Sequence, residues 1–551
     1  MLKLATLIEN PGEPRLESQY QDPAVLQRLG YNAKIIYGTT ALSGIESTQV
    51  IVDPELRRWT DQITERVSGE ITQATDAGLG VYLFYDALVL PKALVARNTR
   101  NVTCRQREDV LCPGSREGWD LSIRGCEAML RRHPEASGIV LRVGDSDAPR
   151  LPHLMGNDIY TPHCSRCGDL ARAERVSEAI RRFHDLVVER FGKRLIVRAW
   201  NLRPGGMHDQ PDLAARIAEA LPGSPHDDRL VLSFKFTETD FWRYQRWNPA
   251  SLRCGGRPIL YELQCQREFE GKGGIPNWQA PLWRDGPPEV EGGDGEKVHG
   301  LADAAKRVNL AGVWAWVRGG GWGGPFIRDE TWIDANVYAA PRLADDPELD
   351  LDELARSWVA ERLHLEDDAA IEAVCDVLRA SPEIVRRAFY VEPFAVSKRD
   401  PWHPAADWLQ DDVLDAHAAW RIMQRLPEPA VERAVAEKRA AAEQVMRLRT
   451  RLQRLVDDRG HHRLEPMVNS LLYAESLFEA LRDLLSGLAA HRENRRSPSP
   501  AAAEHTRKML FEAQSHWNHH TQRLASRPGT ASAFREQGFW DITEQIMTDL
   551  A

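Results

Sequence analysis

The chain has 551 residues, of which 42% are apolar and 28% charged, a composition typical of a folded globular protein with more than one core. Its formal net charge of −10 argues against a nucleic acid as the main partner, because phosphate binding needs clustered Lys and Arg. We find no sustained apolar segment near the start and no run of about 18 apolar residues, and so expect neither a signal peptide nor a membrane-spanning helix. We therefore expect a cytoplasmic protein whose eight cysteines are reduced.

Residues 20–340 contain short apolar runs that alternate with amphipathic stretches such as Asp169–Phe191 and Pro211–Ala220. This alternation predicts parallel β/α units. Polar and acidic residues follow several runs, as they do at the active-site end of closed barrels, which favours a closed barrel over an open sheet. The sequence therefore predicts a TIM (β/α)8 barrel over residues 1–342. The predicted strands are Ala33–Tyr37, Gly80–Tyr85, Gly138–Val143, Leu195–Trp200, Leu230–Phe236, Ile259–Gln264 and Gly312–Val317, with Leu2–Ile8 or an unrecognised stretch as the eighth.

Beyond the predicted barrel the sequence changes character. Helical periodicity runs through residues 351–395 and is strong in Trp408–Leu455 and Leu464–His491, while Arg495–Ala503 has the composition of a linker. We expect a C-terminal α-helical domain over residues 343–551, arranged as a bundle or as an antiparallel hairpin of long helices. Its interpretation is a scaffold or, alternatively, the surface of a homodimer, because long amphipathic helices often pair.

Three predicted strands end in acidic residues. A carboxylate inside or beside an apolar strand is costly unless it is paired or serves a site. Each residue alone is explained by a salt bridge or a helix N-cap, but three such ends on one barrel predict a shared cleft. Glycoside hydrolysis needs such a cleft, with one protonated acid for the leaving oxygen and one carboxylate as base or nucleophile. The candidates are Asp145 and Asp147 at the first end, Lys235, Glu238 and Asp240 at the second, and Glu262 and Gln264 at the third.

Basic and aromatic residues accompany these carboxylates. Arg142 and Arg198 follow or lie within apolar runs, where a guanidinium can hold a carboxylate through two hydrogen bonds. The glycine-rich segment 319–324 lacks the GK[ST] of a phosphate loop. We interpret it as a loop that lets Trp314, Trp316 and Trp322 line a sugar site, with packing inside the barrel as the alternative for each.

The segment His163-Cys-Ser-Arg-Cys167 contains a CxxC pair. A zinc site could combine this pair with Cys104 or Cys112. The sequence has no second CxxC, which favours a buried pair of thiols in a barrel loop. We therefore predict no metal and no cofactor.

Four segments resemble stretches of the α-glucuronidases of glycoside hydrolase family 67, in the order of that family and with similar spacing. Tyr261–Gly271 resembles its E-x-Q-x-x-x-E-[YF]-x-G stretch, and Lys235–Phe241 resembles its K-x-x-x-x-D-F segment. Asp334–Pro347 resembles its A-N-x-Y-x-x-x-R-L-A-x-x-P stretch, and Leu29–Ile36 its first barrel strand. The resemblance covers roughly residues 20–365.

The resemblance implies an inverting mechanism on a terminal α-linked uronic acid. Asp240 and Glu262 match the pair of carboxylates that activates water in the family. Arg198 falls where the family uses Arg to hold the uronate carboxylate, and Arg142 falls where it uses Lys.

The general acid differs from the family pattern. The family has N-S-E-G after the third strand, whereas this chain has Gly144-Asp-Ser-Asp147, so either Asp145 or Asp147 serves with a one-residue shift. The barrel also begins almost at once, without the β-rich domain that precedes it in the family.

Together these features predict a glycosidase that removes a uronic acid from an oligosaccharide and has neither a nucleic acid nor a membrane as a partner. One alternative is a glycosidase of another specificity on the same barrel, because fold does not fix function. The other alternative is a non-catalytic carbohydrate-binding protein whose helical region assembles a complex.

Overall fold

The computed structural model describes residues 1–9, 17–39, 54–146, 148–290, 298–320, 328–398, 400–410, 413–525 and 535–550. The first part of the chain is a closed barrel of eight parallel strands: β1 (Leu2–Ile8), β2 (Ala33–Ile36), β3 (Gly80–Asp86), β4 (Gly138–Gly144), β5 (Arg194–Asn201), β6 (Leu230–Lys235), β7 (Pro258–Gln264) and β8 (Asn309–Gly319). Each strand pairs with the next one in the chain, and β8 pairs with β1. The predicted TIM (β/α)8 barrel is confirmed, with Leu2–Ile8 as its eighth strand.

The barrel strands are apolar along their length because both of their faces are covered. In β7 every residue is buried, and in β4 all but the last are. The polar exceptions Arg142, Arg198 and Glu262 are also buried, each toward the carboxyl end of its strand. The barrel therefore concentrates its buried charge at the end where such folds carry their sites.

Helices connect and cover the strands. The predicted helix Pro211–Ala220 is confirmed, and the predicted helix Asp169–Phe191 is shorter, because its last part, Asp185–Arg190, is a π-helical turn. The helices of this part are Pro23–Arg28, Pro54–Asp76, Lys92–Val102, Arg116–Arg132, Ser165–Gly168, Arg172–His184, Pro211–Ala220, Ala280–Asp285, Leu301–Ala304 and Thr331–Asp345.

The described chain after the barrel is mainly helical. Glu465–Arg496 packs against both Glu428–Arg459 and Pro500–Ala525, so these long helices cover one another's apolar faces. Only residues 497–499 separate two of them, and the predicted linker Arg495–Ala503 is therefore largely helical. The helices are Leu351–Leu363, Asp368–Phe389, Glu392–Ser397, Ala416–Arg425, Glu428–Arg459, Glu465–Arg496, Pro500–Ala525 and Phe539–Asp549. A small sheet joins Leu409–Gln410, Val413–Asp415 and Arg535–Gln537.

The barrel and the helical region are linked by buried hydrogen bonds. Tyr390 donates to Glu270 over 2.7 Å, and the Trp332 indole donates to Ser470 over 2.8 Å. The predicted boundary at residue 342 falls inside the helix Thr331–Asp345, which follows the last barrel strand. Among the described helices, none is long and apolar enough to cross a membrane.

Candidate active site

At the carboxyl end of the barrel, Arg198 on β5 links carboxylates that come from β4 and β7. Its Nε donates to both oxygens of Glu262 on β7, over 3.1 and 3.2 Å, and its Nη1 donates to Asp145, just beyond β4, over 3.1 Å. Ser233 on β6 donates to Glu262 over 3.0 Å. Glu262 has no exposed surface. Four consecutive strands thus supply one network, of which Ser233 was not predicted.

Asp145 is the more accessible carboxylate of this network, with 19% of its side chain exposed. Burial raises the pKa of Asp145, but the positive charges of Arg142, Arg198 and Lys235 outweigh burial, so its pKa lies below the ordinary value of 3.8. Asp145 is therefore ionised at neutral pH. An ionised carboxylate can accept a proton or stabilise positive charge, but it cannot donate a proton.

Arg142 is held by a residue that the sequence analysis missed. Asp86, the last residue of β3, accepts two hydrogen bonds from Arg142, over 2.5 and 2.9 Å, and both side chains are 1% exposed. Ser146 also donates to Asp86, over 2.9 Å. The signal was present, because Asp86 directly follows the apolar run of β3 just as Asp145 follows that of β4.

Lys235 and Asp240 form a further ion pair at the mouth of the barrel, by which we mean the open carboxyl end of its strands. The backbone N–H of Phe241 donates to the same Asp240 oxygen over 2.7 Å. The Lys235 ammonium lies 3.7 Å from the ring centroid of Trp200, 4.5 Å from that of Phe241 and 5.2 Å from that of Trp316. Aromatic faces attract a cation and exclude water, which fixes this ammonium beside Asp240. The structure therefore places Trp316 in the wall around Lys235, where it is 6% exposed.

His208 supports the loop that carries Asp240. Its Nε2 lies 3.1 Å from the carbonyl oxygen of Thr237 and 3.0 Å from that of Thr239. Burial lowers the pKa of His208 to about 3, so the imidazole is neutral at physiological pH. A neutral imidazole with its proton on Nε2 donates to these carbonyls and holds the loop from behind.

The helical region contacts the same loop from the other side. Thr239 and Gln245 donate to the carbonyl oxygen of Pro401, over 2.7 and 2.5 Å. The ring of Trp402 stacks on Trp200, with centroids 5.6 Å apart and planes inclined by 18°. The helical region therefore contributes a wall of the mouth as well as support.

Of four further predicted site residues, two lie among the described residues and two do not. Glu238 forms an ion pair with Arg246 over 2.6 Å, and that arginine is 53% exposed. Gln264 is buried; its side-chain oxygen accepts from the backbone of Glu268 over 3.1 Å, and its Nε2 has no partner among the described residues. The other two, Asp147 and Trp322, lie outside the described residues.

A cavity of about 460 Å³ opens beside this network. Of the described carboxylates in the network, it is Asp145 that lines the cavity, rather than Glu262 or Asp240. Asn201 at the end of β5 and Arg107 from the loop after β3 line it as well. The cavity could hold a sugar unit against Asp145.

The CxxC pair belongs to a larger cluster. Cys104 and Cys112 meet Cys164 and Cys167, and the four sulfur atoms lie within 4.8 Å of one another. We predicted a buried pair of thiols, whereas the cluster contains four, because the loop after β3 contributes two more. All eight cysteines are described, and all are free thiols.

No family model and no curated protein matches this sequence. Among solved structures, the chain is similar to a GH138 enzyme that targets the pectin rhamnogalacturonan II, with a TM-score of 0.55 and 11% identity over 100% of this chain and 82% of that one. It is also similar to CpGH89 from Clostridium perfringens, solved with its substrate GlcNAc-α-1,4-galactose, with a TM-score of 0.52 and 9% identity over 100% of this chain and 58% of that one. At these identities the likeness shows a shared fold, and these structural neighbours are glycoside hydrolases.

Proposed function

We propose that this protein is a glycoside hydrolase that cleaves an oligosaccharide at the carboxyl end of the barrel. The observation that carries the proposal is the arrangement around Arg198, to whose guanidinium β4 and β7 supply carboxylates. Asp240, in the loop after β6, lies beside Lys235 at the end of that strand. Carboxylates on separate strands around one cleft are what glycosidic cleavage requires. The fold shared with glycoside hydrolases supports the same class.

The surroundings of each carboxylate suggest its role. Asp240 is 18% exposed and lies beside an ammonium, so it suits the base that activates water. Glu262 has no exposed surface and contacts Arg198 and Ser233, which suits a positioning residue that acts through Arg198. Asp145 is ionised and lines the cavity, a combination that suits stabilisation of the positive charge that develops on the sugar ring. The sequence analysis left either Asp145 or Asp147 as the general acid, and because Asp145 is ionised we assign this role to Asp147.

The finer proposal is an inverting hydrolase of a terminal α-linked uronic acid, and it rests on the family 67 resemblance of Asp240, Glu262 and Arg198. One observation favours a neutral sugar as the second candidate. Arg142 and Arg198, the two predicted holders of the uronate, already bind Asp86 and Glu262. A uronate carboxylate would have to share one of these guanidinium groups with a protein carboxylate.

The experiment that tests the proposal is sugar release from a panel of uronic-acid-capped and neutral oligosaccharides. We expect the wild type to release a sugar and Asp240→Asn to lose that activity while keeping its folded circular dichroism spectrum. Release of a neutral sugar alone would discard the uronate and keep the hydrolase. Binding without release, equal in wild type and Asp240→Asn, would replace the hydrolase with a carbohydrate-binding protein. The anomer first formed, followed by NMR, tests inversion.

A further inference from the structure

Two loops at the carboxyl end of the barrel place four cysteines together. Two of them belong to a hairpin before the helix Arg116–Arg132, one in its first strand and one directly after its second; of the other two, one precedes the short helix Ser165–Gly168 after β4 and one lies within it. They are Cys104 and Cys112 in the first loop and Cys164 and Cys167 in the second. The cluster therefore joins segments that are far apart in the sequence.

The spacing of the sulfur atoms fits a tetrahedral metal ion. Measured distances are 3.6 Å between Cys112 and Cys164, 3.6 Å between Cys164 and Cys167, and 3.9 Å between Cys104 and Cys167. With a Zn–S bond of about 2.3 Å, the sulfur atoms of a tetrahedral Cys₄ site lie about 3.8 Å apart. A disulfide would need about 2.05 Å.

Hydrophobic packing does not account for the cluster. The other four cysteines, Cys126, Cys254, Cys265 and Cys375, are buried within the main apolar core. Within the described part of the chain, the cluster of Cys104, Cys112, Cys164 and Cys167 instead comprises only these four buried side chains. A thiol that serves as a small apolar side chain packs against other apolar groups, as those in the main core do.

Hydrogen-bond donors are directed at the sulfur atoms. The backbone N–H of His163 donates to Cys167 over 3.2 Å, and the Arg166 guanidinium donates to Cys112 over 3.3 Å. Donors of this kind stabilise metal-bound thiolates from outside the first coordination sphere. The two loops also approach closely here, because a Cβ at Gly114 would lie 2.5 Å from the carbonyl oxygen of Arg166.

We propose that Cys104, Cys112, Cys164 and Cys167 bind one zinc ion, which ties the loop after β3 to the loop after β4. Four thiolates with no open position make a structural site, and soft sulfur ligands in tetrahedral geometry favour zinc over hard cations such as Mg²⁺ and Ca²⁺, with iron as the competing metal that the test distinguishes. Arg107, Asp109 and His163 belong to the tied loops and line the cavity beside Asp145. The ion thus fixes a wall of that cavity, and its presence does not depend on the reaction catalysed.

The first test is the metal content of the wild-type protein, purified without a histidine tag and dialysed against metal-free buffer. Elemental analysis should find about one zinc per chain. Protein grown in cobalt should show the intense visible absorption of tetrahedral cobalt thiolate. Less than a tenth of an equivalent of zinc, iron in its place, or a cobalt spectrum without thiolate bands would overturn the proposal.

Variants test the ligands. The Cys104→Ala/Cys167→Ala double variant should lose the zinc, whereas Cys126→Ala/Cys375→Ala, which changes two thiols of the main core, should retain it. Equal zinc in both would overturn the assignment. If the first variant fails to fold, the metal content and cobalt spectrum of the wild type still decide.

Trypsin provides a readout of the tie between the loops. Removing the ion from the wild type with a mercurial reagent and EDTA, followed by thiol reductant, should speed cleavage after Arg105, Arg107 and Arg166 at least tenfold, and adding Zn²⁺ should restore resistance. Unchanged cleavage after complete zinc removal would contradict a structural role for the ion.

Discussion

The barrel mouth and the four-cysteine cluster lie at the same end of the molecule, and they balance buried charge in different ways. In the mouth, each buried cation has its own carboxylate, as in the pair of Arg142 and Asp86. In the cysteine cluster, four sulfur atoms have a single described guanidinium as a hydrogen-bond donor, that of Arg166. Four thiolates would therefore need a cation from outside the chain.

The mouth is therefore complete in charge, whereas the cysteine cluster needs an added cation. The ion pairs of the mouth hold their geometry before a substrate arrives, which is the preorganisation that catalysis uses. For the cysteine loops, by contrast, we expect the proposed ion to be what holds the geometry in place. The same contrast predicts which changes affect the reaction and which affect the fold.

The largest effect should come from the reacting groups of the mouth. Asp240→Asn should lower sugar release about 10²- to 10⁴-fold, because an amide cannot accept a proton from water. Steady-state kinetics on the substrate found in the oligosaccharide panel measures this loss. Asp227→Asn, at the opposite end of β6 where Asp227 pairs with Arg229, is the matched control and should keep nearly full activity. Equal losses in the two variants would show that Asp240 has no special role.

Breaking the internal charge balance of the mouth should cost stability. Asp86→Ala leaves the Arg142 guanidinium buried without its bidentate partner, and we expect a decrease of about 3–5 kcal/mol in the free energy of unfolding. Urea denaturation measures this decrease. The control is Asp345→Ala, which removes the 58%-exposed partner of Lys3 and should cost at most about 1 kcal/mol. A cost below 1 kcal/mol for both would mean that water or another group compensates Arg142.

A third group of buried charges surrounds Glu270, and it should make the free energy of unfolding depend on pH. Burial raises the pKa of Glu270, but Arg267, Arg243 and a hydrogen bond from Tyr390 outweigh burial and bring it to about 2, from an ordinary value of 4.5. A carboxyl whose pKa is lower in the folded state stabilises the fold above its unfolded pKa, and this stabilisation, about 3 kcal/mol, is lost as the pH falls from about 4.5 to about 2.

Comparison with Glu270→Gln isolates that contribution. The difference in unfolding free energy between wild type and variant should shrink by about 2 kcal/mol between pH 6 and pH 3. Guanidinium chloride denaturation at the two pH values measures the change. A difference that stays constant would show that Glu270 has the same pKa in the folded and unfolded protein.

The smallest effect should come from the contact between the helical region and the mouth. Trp402→Ala removes the ring that stacks on Trp200, and we expect a decrease of about 1 kcal/mol in the free energy of unfolding. Leu202→Ala, which changes a side chain that is 59% exposed, is the control and should change this free energy by less than about 0.5 kcal/mol. Equal effects of the two substitutions would show that the stacking of Trp402 on Trp200 does not contribute to the free energy of unfolding.

The sequence predicted the barrel well because its signal is local. Runs such as Leu195–Trp200 are long, apolar and bounded by polar residues, and the ends of the observed strands differ from the predicted ends by no more than three residues. The prediction of a linker over Arg495–Ala503 was wrong for a related reason. Pro500 begins a helix, and proline is favoured at the first helical position as well as in linkers. Local composition could not distinguish the two.

The site was harder to predict because its contacts join distant strands. Glu262 and Arg198 were both singled out, but nothing in their spacing indicates that they bind each other instead of a substrate. For the same reason, the sequence analysis considered Cys104 or Cys112 as a partner of the CxxC pair but favoured a pair of thiols over a cluster of four. Cys104 lies in the first strand of a hairpin and Cys112 directly follows the second, so they lack the CxxC spacing. Only the packing of two loops brings them to Cys164 and Cys167.

The pairing of β1 with β8 also sets an order of events during synthesis. Leu2–Ile8 is made about 300 residues before Asn309–Gly319, the strand that covers its second edge, so at about 5–20 residues per second it waits about 15–60 s. Throughout that interval an apolar strand presents unpaired N–H and C=O groups, which can recruit other nascent chains. We therefore expect association with other chains to be most frequent before the ribosome has passed β8. Slower translation before that point should lower the yield of folded protein without changing the stability of the molecules that complete folding.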